Sequence, residues 1–372
     1  MVHKATASSR VSPEGLYFQI VCDPGHERTL RELSQLPKES RERVWADMIG
    51  VNVYSGLASG HLESTSHRSN NENPQQRDSP WVEQQLSKLN DEISVVCRKE
   101  SHSLQLAFQT KLGQDPELRL SFLRACDFDA NKAAHHMCRH FVQKMTLFGE
   151  SKVGQPIRLS DLSPDDLETL QSGAIQFLPR TDRGGRLVLV ARNRFFVYKR
   201  QENMLRSLWY MLMSTLDTPH LSDAGLVVVG YDIGDFVPVD YELTRQLIVV
   251  IRSLPIRIVA SHSCFNSGPM EKVADLVVHM VSSFVRLRLR MHYGSHQECR
   301  YRLLTMGIPV DLLPFRSDDT VQTENHHKWL QFRIRQEQKQ QEQEQQEQQQ
   351  QQSGPSPMGA DSDMMDDGGD DH

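Results

Sequence analysis

The sequence predicts an α/β protein in which a helical N-terminal subdomain precedes a mostly parallel sheet covered by helices. Three observations predict it. Residues 81–149 keep a helical hydrophobic period throughout. After Gly149 the period changes, and short apolar runs alternate with amphipathic ones, as strands alternating with helices do. The run at 225–231 is apolar at nearly every position, which is how a strand buried on both faces reads.

The elements follow in order. Residues 1–15 and 55–80 are rich in Ser, Asn, Gln and charge, with too little apolar surface to offset the entropy of ordering, so 1–80 is expected to be largely disordered. Short helices are expected within 30–53, where Leu33, Leu36, Val44, Trp45, Met48 and Ile49 fall at helical spacing. In the helical subdomain, 81–149, Asp115 caps a helix that has Pro116 in its first turn. Asp129 caps the next, and Gly149 stops it. Ala133, Ala134, Met137, Cys138, Phe141, Met145 and Phe148 give that second helix a broad apolar stripe. Beyond it, Ser163-Pro164-Asp165-Asp166 opens a helix that Gly173 ends, strands are expected at 174–178 and 186–192, and Thr181 to Gly185 turn between them. Helices at 203–216, 239–254, 268–281 and 295–306 then alternate with strands at 225–231, 256–261 and 284–292. A Gln/Glu-rich and acidic tail occupies 336–372; its first seventeen residues hold twelve Gln and four Glu, a run that can extend the preceding helix, even as a coiled coil.

Composition excludes several functions. Of the 372 residues, with a formal net charge of −6, those from Glu337 onward carry −9, leaving +3 on residues 1–336. That excess is too small and too dispersed for nucleic acid. No apolar stretch reaches the roughly 18 residues of a membrane span, the N-terminus lacks a secretory signal, and the six cysteines form no short-spaced pair. A cytoplasmic protein with free thiols is expected, one that works peripherally at membranes.

Several short motifs recur in a fixed order. Phe122-Leu123-Arg124-Ala125 is followed by Phe128-Asp129 and Lys132-Ala133; Asp182-Arg183-Gly184-Gly185-Arg186 forms a turn; Leu254-Pro255-Ile256-Arg257 opens a strand; Asn266 and Pro269 follow it. In this series the chain, from about 115 to 314, resembles the CRAL-TRIO lipid-binding family as a divergent member, since the segment Gly307 to Pro314 lacks the paired glycines that often close the family's domain. The resemblance implies that residues 150–335 enclose one lipid or other hydrophobic small molecule in an apolar cavity. It implies a pocket floor at Val227, Val229, Tyr231, Ile258, Ala260 and His262, and a gate helix carrying Lys272, Val273, Leu276, Val277, Met280 and Phe284. The occupant would be transferred, presented or sensed at a transient membrane surface, with phosphoinositides among the lipids that family members hold.

The strand at 284–292 alternates strictly, which places Arg286, Arg288 and Arg290 on one face, where they could meet an anionic headgroup or membrane. The same pattern fits a solvated edge or pairing inside the fold. His136 and His140, at helical i, i+4 spacing beside His135 and Cys138, lack a second ligand cluster, so no metal is expected. Cys264 has Met270 where a cysteine-phosphatase loop requires arginine, and no nucleophile elbow, phosphate loop or dinucleotide fingerprint is present. The expectation is therefore a protein without catalysis and without a cofactor. The competing expectation is an interaction scaffold with a collapsed pocket that acts through its tail.

Overall fold

The computed structural model describes residues 34–49, 80–98, 101–217, 224–234, 240–266 and 288–352. Its helices begin where side chains can take the orphan backbone N–H groups of a first turn. After α1 (Lys38–Ile49) and α2 (Pro80–Cys97), Ser101 caps α3 (His102–Gln109) and Thr110 caps α4 (Lys111–Gln114). Asp115 caps α5 (Pro116–Ala125) through Glu117 N, and Asp129 caps α6 (Ala130–Phe148) through Lys132 N. Between α5 and α6 the chain reverses through Asp127 and Phe128, both in the left-handed region. Phe128 packs there on Trp81, at 4.7 Å between ring centroids. Gly149, at φ +83°, ends α6 as the sequence leads one to expect. Leu89, Phe122, Met137 and Phe141, all fully buried, make the core of these helices.

Ser163 and Asp166 cap each other at the start of α7 (Pro164–Gln171). The remaining oxygen of Asp166 accepts from Asn203 Nδ2 at 2.7 Å, which joins α7 to α8 (Gln201–Met213). The sheet comprises β1 (Ile175–Phe177), β2 (Leu187–Ala191), β3 (Leu226–Asp232), β4 (Ile258–Phe265) and β5 (Leu289–Tyr293) in the order β1-β2-β3-β4-β5. Only β1 runs antiparallel to its neighbour; the other three pairings are parallel, so the sheet is mixed and mostly parallel.

This order decides which helices share a face. α8 joins β2 to β3, and α9 (Tyr241–Ser253) joins β3 to β4, each by one step in the same direction. Right-handed crossovers therefore put both on one side, here termed the crossover face. The opposite side is sealed by chain from before and after the sheet: Val44 and Met48 of α1, Cys299 and Leu303 of α10 (His296–Thr305), and the segment from Met306 to Phe315. Residue parity follows the pairing. Val188, Val190, Val227, Val229, Tyr231, Ala260 and Cys264 point to the sealed side, and all are fully buried.

The last helix, α11, runs from Glu324 to Gln352 and so carries the Gln/Glu run in helical form. Beyond Ile334 it has no apolar side chain, so it lacks the heptad seam a coiled coil requires. Within it, Arg333 Nη2 lies 3.6 Å from Glu337 Oε1, one turn away. No described helix is long and apolar enough to cross a membrane.

Candidate functional site: the crossover face of the sheet

The two faces of the sheet are built from different residue types. Across the crossover face, one row reads Leu189, Val228, Ser261, Leu289, and the next reads Ala191, Gly230, Ser263, Met291. Asp232, Phe265 and Tyr293 follow at the carboxyl ends of the strands. Val228, Gly230, Ser261 and Ser263 occupy the two central strands, yet they are only half-buried, whereas their neighbours in chain on the sealed side are completely so. A central position on a covered sheet stays partly accessible when its cover does not close on it. This partial accessibility makes the crossover face the candidate site.

At its rim stands Asp232. Its two carboxylate oxygens accept from the backbone N and the Nδ2 of Asn193, at 2.9 and 3.2 Å. Burial raises its pKa to about 6, against the opposing pull of the Asn193 N–H and of Arg192. The folded protein thus holds this proton more tightly than the unfolded chain does, and Asp232 contributes stability that is present below about pH 4 and lost as pH rises through about 6. Asp232→Asn is accordingly expected to remove a part of the pH profile in which stability falls between about pH 4 and 6. Denaturation midpoints across that range check it; identical slopes in parent and variant would show that Asp232 titrates as an ordinary carboxyl.

The residues expected as a pocket floor lie mainly on the other side. Val227, Val229, Tyr231, Ala260 and His262 share one face, as alternation requires, but it is the sealed one. Tyr231 Oη pairs there with His296 Nδ1 of α10 at 2.8 Å. His262 stacks on His292, with 3.0 Å between its Nδ1 and the neighbouring Nε2, and burial holds its pKa well below the usual histidine value. Ile258 pairs with Leu226 ahead of a bulge in which Val259 is the extra residue, so it does not share the face of Ala260. Gly225 allows the bulge: a Cβ there would lie 2.6 Å from Val259 Cγ1. The correction is thus one of parity, by a single residue along each strand.

Arg288 and Arg290 also require correction. Arg290 stands on β5 at the parity opposite to Leu289 and Met291, Arg288 precedes the strand, and they are 4% and 2% exposed, so both side chains point into the protein and not to its surface. The reason lies far away in sequence. Asp47 of α1 receives Arg288 Nη2 at 2.8 Å on one oxygen and Arg257 Nη2 at 2.8 Å on the other. Arg186, itself paired to Asp182 in the β1–β2 turn, donates to the Asp47 carbonyl. One buried carboxylate so fastens α1 to β4 and β5. Lys272, Val273, Leu276, Val277, Met280, Phe284 and Arg286 lie outside the described residues.

The histidines of α6 belong to the core. His140 stacks on Trp209 at 4.7 Å, and its Nδ1 is 3.2 Å from the Ser253 carbonyl, which joins α6 to α8 and α9. His136 lies 3.5 Å from the Cys126 thiol, a pairing found in thiol nucleophiles, but here burial pushes the thiol up to about 11 and the imidazole down to about 4. The thiol stays protonated, so the pair is no activated nucleophile. Among the described residues, no three His, Cys, Asp or Glu side chains converge on a point suited to a metal.

No family model matches the chain, and neither does any curated protein. Among solved structures, the crystal structure of Sfh5 aligns over 58% of this chain and 81% of its own at 13% identity, with a TM-score of 0.37. A likeness that loose defines neither family nor ligand.

Proposed function

We propose that this protein binds a single lipid or similarly apolar molecule against the crossover face of its sheet and carries it between, or presents it at, membrane surfaces without chemical change. The observation that supports this most is the asymmetry of the sheet. One face is filled to completion by α1 and α10, and the other keeps half-buried small residues at its centre. An acyl chain laid on such a face gains about 0.8 kcal/mol per CH₂ removed from water, enough to hold a long chain by burial alone. The ordered motif series resembling the CRAL-TRIO family favours the same reading, and the Cys126 thiol, which burial pushes up to about 11, gives no support to thiol catalysis.

Organic extraction of the purified full chain, followed by mass spectrometry, tests the proposal. The expected result is about one equivalent of an apolar molecule, or uptake of one from phosphatidylcholine vesicles. Neither co-purifying lipid nor uptake would remove it and leave the interaction scaffold in its place.

A further inference from the structure

We infer that Ser261 and Ser263 select the occupant of the crossover face, favouring an apolar molecule that carries a neutral oxygen, as a hydroxyl or carbonyl, over a plain hydrocarbon of equal length. The inference deepens the proposed function and rests on it. Both hydroxyls stand on β4, a central strand, and among the described residues neither has a hydrogen-bond partner. Serine brings a strand little surface to pack, and neither hydroxyl is spent on a bond that holds the fold together. Fold stability therefore does not account for two such residues in succession on one face.

Gly230 is a second, independent observation. It pairs with Ser263 in the middle of β3, where glycine weakens a strand and often marks the close approach of another molecule. Its φ lies outside the left-handed region, and the nearest atom to a Cβ built on it is Ser263 Oγ, at 3.7 Å. Neither backbone nor crowding demands glycine here. What glycine does provide is open access to the Ser263 hydroxyl from the side of β3. Among the described strand residues of this face the only charged side chain is Asp232, at the rim and engaged by Asn193, while Arg290 belongs to the sealed side. A neutral oxygen matches two serine hydroxyls; on the described strands an ionic headgroup would find no counter-charge beside them.

The test presents the full chain with phosphatidylcholine vesicles containing equal mole fractions of oleyl alcohol and 1-octadecene, then repurifies it and quantifies both probes. The parent is expected to enrich the alcohol about tenfold, the scale of one or two net hydrogen bonds. Ser261→Ala with Ser263→Ala should keep octadecene uptake and the parent's thermal midpoint while losing the preference. Gly230→Ala, which brings a methyl into contact with Ser263 Oγ, should reduce the preference with both serines intact. Equal uptake of the two probes by the parent, or an unchanged preference in the double variant, overturns the selectivity and leaves lipid binding standing. Uptake of neither probe, with no co-purifying lipid, overturns both.

Discussion

Asp47→Ala is expected to destabilise the protein by about 3–5 kcal/mol, the usual consequence of removing one partner from a buried ion pair. The carboxylate is shared by Arg257 and Arg288, all three side chains being nearly inaccessible, and its loss leaves guanidinium charge in a place where water cannot replace the missing partner. A domain's whole stability is about 5–15 kcal/mol, so the variant should unfold at much lower urea concentration. α1 should become sensitive to protease before the sheet does, because Val44 and Met48 keep their place in the core only while α1 is docked. Urea denaturation followed by circular dichroism gives the value. A loss below about 1 kcal/mol, the range of exposed ion pairs, would mean that α1 does not close this side of the sheet in solution.

Two adjacent substitutions on β3 should differ more than any other neighbouring pair. Val229→Asp places a carboxylate among Val190, Val227 and the His262–His292 stack on the sealed side, at a cost of several kcal/mol that the fold cannot absorb; soluble protein should be scarce or molten. Val228→Asp puts the same group on the half-buried crossover face. It should fold, with a thermal midpoint close to the parent's, and be purified with little or no lipid. Thermal midpoint and extracted lipid, measured on both variants, check the pair of outcomes. A folded Val229→Asp or an unfolded Val228→Asp would reverse the assignment of the faces.

The capping residues were legible in the sequence because they act locally. Asp115, Asp129 and Ser163 each sit two or three residues from the N–H they accept, and the structure places a helix start at all three. The choice of sheet face was not legible, and the reason is physical. β3 reads Leu-Val-Val-Val-Gly-Tyr-Asp, and β2 is similarly apolar, so neither strand alternates strongly enough to mark one side. The small residues of the central strands carry a weak signal: Gly230, Ser261 and Ser263 share a parity, but His262 of β4 stands on the other face and blurs it. Arg288 shows the converse. Its inward direction depends on Asp47, more than two hundred residues earlier, whose own segment displays only a short helical pattern. Long-range ion pairing leaves no local trace in a single sequence.

The most direct measurement of the central claim is photo-cross-linking with a diazirine-bearing fatty acid, followed by peptide mapping of the adducts. Adducts are expected within β3 and β4, at Val228, Gly230, Ser261 and Ser263, and absent from Val227, Val229 and Ala260 on the sealed side. Adducts confined to exposed apolar side chains such as Tyr301 and Leu304, or spread evenly over both faces of the sheet, would contradict it.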